Sequence, residues 1–165
     1  MTVSFPTFPN SGQCYLKHYE NKLILFYSKP NSNVLSSQKK LKHYNIGNKL
    51  PNTLLCRLRV GRSFLKSHGF AINLSHTDKC ICGDSDTILS FFFSCFLFQA
   101  ERKVLLDKIN NIYPPFSKLS KAKQCNILLF GINLDSPLPD PRNRSITYAV
   151  QEYITKTNRF SKLYD

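Results

Sequence analysis

Three cysteines, Cys80, Cys82 and Cys95, are the residues whose type and spacing best suit a chemical role. They lie within sixteen positions, from Cys80-Ile81-Cys82-Gly83 to Phe91-Phe92-Phe93-Ser94-Cys95, and make up half of the chain's six cysteines. Thiolates are soft metal ligands, and a structural zinc ion takes four Cys or His donors in a tetrahedron. Cys80 and Cys82 on a turn opened by Gly83 offer two donors. Cys95, at the end of a short apolar helix, offers a third. The fourth is expected one helical turn before Cys95, where Ser90 stands; His76, Asp84 and Asp86 are the other donors nearby. The same cysteines also suit a different role, as buried small apolar side chains of a reduced protein. Cys14, Cys56 and Cys125 are isolated and read as core residues, the last two within helical patterns.

The elements that must hold this block are helical. Thr53–His68 reads as one helix, with Leu54, Leu55, Leu58, Gly61 and Leu65 on its apolar side and Arg57, Arg59, Arg62 and Lys66 over much of the rest. Asn52 or Thr53 can cap its start and Gly69 its end. Gly61 in mid-helix points to close packing or a kink. Asp86–Ser94 reads as a short helix capped by Asp86 or Thr87. Leu97–Tyr113 reads as another, with Arg102 largely outside and Pro114 and Pro115 as its stop. Ser120–Phe130 ends at Gly131. Residues 135–142 carry three prolines and read as an extended loop. A last helix from Ser145 to about Phe160 turns Ile146, Val150, Tyr153, Ile154 and Thr157 inward. The expected fold is mainly α: a small helical module with a cysteine-containing knuckle and an irregular N-terminal segment. The division is a loose leader over 1–40, a helical domain over 41–160 and a tail over 161–165.

Charge suggests the partner. The formal net charge is +13, and up to Thr77 the chain has eleven Lys and Arg against the single acid Glu20. Such an excess favours polyanions, RNA or DNA foremost. Met1–Asn10 has no basic region ahead of an apolar one, and no apolar run reaches about 18 residues. The expectation is an intracellular protein, nuclear or cytoplasmic, in a reducing compartment, not secreted and with no membrane partner. Nucleotide-binding glycine loops, the serine-hydrolase elbow and the zinc-protease helix are absent, and the ten acids are scattered. The chain is therefore not expected to be an enzyme.

The ordered set Leu58-Arg59-Val60-Gly61-Arg62-Ser63, Cys80-Ile81-Cys82-Gly83, Thr87 and a Phe-rich turn closing on Cys95 resembles the C-terminal region of non-LTR retrotransposon reverse transcriptases. Leu128-Leu129-Phe130-Gly131 and Val150-Gln151-Glu152-Tyr153-Ile154, with Thr157, Arg159 and Phe160, extend the resemblance, which spans about Leu41 to Phe160. It implies a zinc-binding-like, nucleic-acid-handling module beside a polymerase domain, from a truncated or degenerate copy of a mobile element. By the same resemblance the zinc-ligand histidine falls on Ser90, so the metal set is Cys80, Cys82 and Cys95 with the fourth ligand absent. The family's proline after the last cysteine falls on Phe96, and Phe64 stands where a further histidine is common. The polymerase, RNase H and endonuclease motifs of the parent family are not in this chain. The expected function is nucleic-acid binding through Arg57, Arg59, Arg62 and Lys66, with Zn²⁺ as the cofactor. The alternative is a helical protein-interaction module or a non-functional product of a decayed element.

Overall fold

The computed structural model describes residues 46–133 and 140–160. Five α-helices run through them: α1 (Lys49–Arg59), α2 (Lys66–Ala71), α3 (Gln99–Ile112), α4 (Lys121–Phe130) and α5 (Arg142–Lys156). A π-turn at Ser90–Ser94 and 3₁₀ turns at Phe96–Phe98 and Pro114–Lys118 link them. Among the described residues there is no strand, only an isolated antiparallel bridge between Lys79 and Ser85. The fold is thus mainly helical, as the periodicity predicts. The leader over 1–40, the tail over 161–165 and most of the proline-rich loop lie outside the described residues.

Helix α5 is the central element and packs against α1, α3 and α4. Ile146, Val150, Tyr153 and Ile154 recur at helical spacing and are all buried, as is Thr157 just beyond the helix. Against them lie Leu54, Leu55 and Leu58 of α1, Leu105 and Ile109 of α3, and Leu128 of α4. Phe91 and Phe92 of the π-turn complete this core. Phe91 meets Tyr153 and Phe160 with ring centroids 5.0 and 5.4 Å apart. Burying each such side chain contributes about 1.5–3 kcal/mol, so the cysteine block is fastened to the core by its own phenylalanines.

The first helix begins at Lys49, so that Asn52 and Thr53 lie inside it and do not cap it, and other boundaries differ from expectation for identifiable reasons. The helix expected over Thr53–His68 is two helices. Gly61 adopts φ +69°, which is inexpensive only for glycine, and ends the first, while Leu65 in extended conformation begins the second. Gly69 accordingly sits inside α2, and Asn73, at φ +58°, takes the left-handed position after it. The last helix starts at Arg142 rather than Ser145, because the Asp140 carboxylate accepts a bond from the Arg142 amide at 3.0 Å. Helix α4 matches expectation: the Ser120 hydroxyl accepts from the Lys123 amide, and Gly131 closes the helix at φ +96°.

Gly131 is held in place by a side chain. Asn143 accepts a bond from the Ile132 amide at 2.7 Å and donates to the Ile132 carbonyl at 3.0 Å. A methyl group at position 131 would collide with the Asn143 amide. Gly131→Ala combines this clash with backbone strain and is expected to destabilise the protein by about 2 kcal/mol or more, read as a lowered urea midpoint; an unchanged midpoint would contradict the latch.

Candidate metal centre

The cysteine loop is closed by backbone bonds before any metal is considered. The Cys80 amide donates to the Asp84 carbonyl at 2.8 Å, and the Gly83 amide donates to the Cys80 carbonyl at 2.9 Å. Gly83 holds φ +93°, which explains why a glycine follows Cys82. A further bond from the Asp86 amide to the Asp78 carbonyl at 2.8 Å closes the base of the loop.

Cys95 reaches this loop through the π-turn. Its amide bonds to the Ser90 carbonyl, five residues back, at 2.8 Å. This wider turn takes the place of the last turn of the expected α-helix over Asp86–Ser94 and redirects the residue that ends it. The three sulfurs converge: Cys82 and Cys95 are 3.6 Å apart, Cys80 and Cys95 3.9 Å, and all three lie within 4.8 Å of one another. A point equidistant from three sulfurs so placed is about 2.3 Å from each, the length of a metal–thiolate bond. Cys80 and Cys95 are buried and Cys82 is half-buried, and none of the three is in a disulfide. These cysteines can hold a metal ion.

Two groups beneath the site fix the turn. Arg102 of α3 donates through Nη1 to the Phe93 carbonyl at 3.0 Å and through Nη2 to the Cys95 carbonyl. Arg102 is therefore buried, correcting its expected place on the outer face of the helix. Tyr153 of α5 donates its hydroxyl to the Phe91 carbonyl at 2.5 Å. On the upstream side, the buried Asp86 carboxylate accepts from the Lys66 amide at 2.8 Å and pairs with Arg159, while the Asp86 carbonyl accepts from the Ser67 hydroxyl at 2.7 Å. Neither Arg102 nor Asp86 is recognisable as an anchor from periodicity; their partners are backbone groups and a distant arginine.

The fourth donor is absent from the geometry too. Ser90 and Thr87 cap each other reciprocally: the Ser90 amide donates to Thr87 Oγ1 at 3.1 Å, and the Thr87 amide to Ser90 Oγ at 3.0 Å. The Ser90 hydroxyl is thus occupied at the start of the helical turn, where it also donates to the Thr87 carbonyl at 3.0 Å. Among the described residues no histidine or carboxylate joins the three sulfurs within 4.8 Å, so His76, Asp84 and Asp86 do not complete the set. The donors fit a soft metal ion but fall one short of a closed zinc tetrahedron. Of the other cysteines, Cys125 is buried, whereas Cys56 is exposed on α1, against its expected core position; Cys14 lies outside the described residues.

The four basic residues expected on one face are divided. Arg62 is exposed, and Arg57 and Lys66 are half-buried, Arg57 standing over the Phe64 ring at 4.2 Å from its centroid. Arg59 is instead buried, and its Nε donates to the Leu129 carbonyl at 2.5 Å. Its side chain ties α1 to α4 and is withdrawn from any outer surface. Among the described residues no helix is long and apolar enough to cross a membrane. No family model, curated protein or solved structure matches the chain.

Burial pushes the Cys95 thiol up to about 12, and burial pushes the Cys125 thiol to about 12 as well. A thiol whose pKa is raised by folding supports the native state fully below its unfolded value and loses that support as pH rises towards the folded value. The metal-free, reduced protein is therefore expected to lose stability between about pH 8.5 and 12, seen as a falling urea midpoint, and a bound metal, which displaces the thiol protons, should remove the Cys95 part of this loss. A second expectation concerns the anchor: Arg102→Met leaves the buried Cys95 carbonyl and the half-buried Phe93 carbonyl without their donor and should cost about 2–3 kcal/mol, measured by the same unfolding.

Proposed function

We propose that the chain is a nucleic-acid-binding helical module in which the thiol cluster, when metal-loaded, fixes the loop beside a basic surface. The observation that carries this reading is the set Arg57, Arg62 and Lys66 at the junction of α1 and α2. None of the three is in an ion pair among the described residues, and they belong to a chain of net charge +13. The Lys66 amide is tied to Asp86, and Asp86 precedes the helix turn that ends at Cys95. A metal on Cys80, Cys82 and Cys95 would thus stiffen the block against which α2 begins. Phosphate contacts of this kind release counterions and depend little on sequence. RNA or DNA is the partner, the function is binding rather than catalysis, and the resemblance to the C-terminal region of non-LTR retrotransposon reverse transcriptases supports the same reading. The ion implied by that resemblance is zinc, which this site holds only with an outside donor in its fourth position.

One observation favours a protein-interaction module instead. Ile81 and Phe96, which flank the clustered cysteines in the chain, are 88% and 62% exposed. The two readings separate by salt dependence. Binding to single-stranded RNA or duplex DNA should weaken by at least about tenfold between 50 and 200 mM salt. The triple change Arg57→Glu, Arg62→Glu, Lys66→Glu should lower affinity and flatten the salt slope by about 2–3. Absence of binding at low salt, or an unaltered slope in the triple variant, would refute the basic surface. Arg59 is unsuitable for this test, since its loss would disturb the α1–α4 contact.

A further inference from the structure

The donor set does not match the zinc site implied by the resemblance, and the mismatch has its own chemical meaning. Three sulfurs converge on one point, the serine at the fourth position is engaged with Thr87, and no described histidine or carboxylate replaces it. Structural zinc is almost always four-coordinate, so zinc here carries one ligand from outside the described donors. A soft ion content with three thiolates carries none.

We propose that Cys80, Cys82 and Cys95 form a three-thiolate site that selects copper(I) over zinc. This rests on the reading that the cluster binds metal at all. The sulfur separations suit a trigonal ion, which needs about 2.3 Å to each thiolate. Thiolates bind both copper(I) and zinc, and it is the count of three donors that favours the ion complete without a fourth. Each thiol gives up its proton as the metal binds, so the loaded site carries three thiolate charges against one on the ion. Basic groups nearby oppose part of that excess. The buried guanidinium of Arg102 sits on the Cys95 carbonyl, and Lys79 precedes Cys80. The half-buried Cys82 gives the ion a way in, while the burial of Cys80 and Cys95 limits the approach of a second ion.

The test uses the full chain, reduced and oxygen-free, with copper(I) delivered from a coloured copper(I) chelator and zinc from a coloured zinc chelator. One copper(I) per chain is expected, kept against about a hundredfold excess of zinc. X-ray absorption of the copper-loaded protein should show three sulfur neighbours at about 2.3 Å and no nitrogen or oxygen neighbour. The zinc-loaded protein should show three sulfurs and one lighter atom. Cys82→Ser, at the most accessible ligand, should lower copper(I) retention at least about tenfold with its helical circular dichroism unchanged. Displacement of copper by equimolar zinc, a nitrogen or oxygen neighbour on copper, or more than one copper per chain would overturn the selectivity while leaving a metal site in place. If neither ion binds, the metal reading beneath it falls as well.

Discussion

The structure depends on how the carbonyl groups of the turn between Phe91 and Cys95 are satisfied. Phe91 and Phe92 draw this turn into the core, where an unpaired carbonyl costs about 1–3 kcal/mol. A regular helix would satisfy these groups internally; this turn widens to a π-type bond so that Cys95 meets the cysteine loop. The carbonyls it leaves over are taken by side chains of two helices, one following directly and one far away in the chain. Tyr153 of α5 takes that of Phe91, and Arg102 of α3 takes those of Phe93 and Cys95. The core and the thiol cluster are therefore two sides of one short segment, and changes to either are felt by the other.

The upstream side is fixed by the opposite chemistry. Asp86 brings a buried carboxylate, and its partners are the first amide of α2 and the Arg159 side chain beyond α5. Arg102 and Asp86 thus hold the two ends of the block with opposite charges, each on a different set of helices. A cysteine cluster so held needs little reorganisation to accept an ion, and that pre-organisation links the metal reading to the basic junction of α1 and α2.

Much of the architecture is readable from residue order, for physical reasons. Apolar spacing marks α3 and α5 because each is one-sided, and Ser120 and Gly131 mark the ends of α4 because capping is local. The proximity of Cys80 and Cys82 follows from the Gly83 turn. Two kinds of feature were not legible. Gly61 looks the same in a kinked helix and at a helix end, and only the packing of Leu58 and Leu65 against the core decides for the end. Arg59 and Arg102 look like surface charges in any pattern of helical spacing, yet both reach buried carbonyls, of Leu129 and of Phe93 and Cys95, whose need for a donor exists only once the chain is folded. Ser90 is an intermediate case: its type signals a missing metal ligand, and its reciprocal cap with Thr87 explains what it does instead.

The central claim is that an ion at the three thiols consolidates a block which the helices have already positioned. Hydrogen exchange of the reduced protein, with and without one equivalent of zinc or copper(I), tests it most directly. The account predicts slower exchange at the amides of Gly83, Asp84, Cys95 and Leu97 on metal addition, with those of α4 unchanged. Equal exchange at all of these amides in the two states, despite metal in the sample, would contradict it.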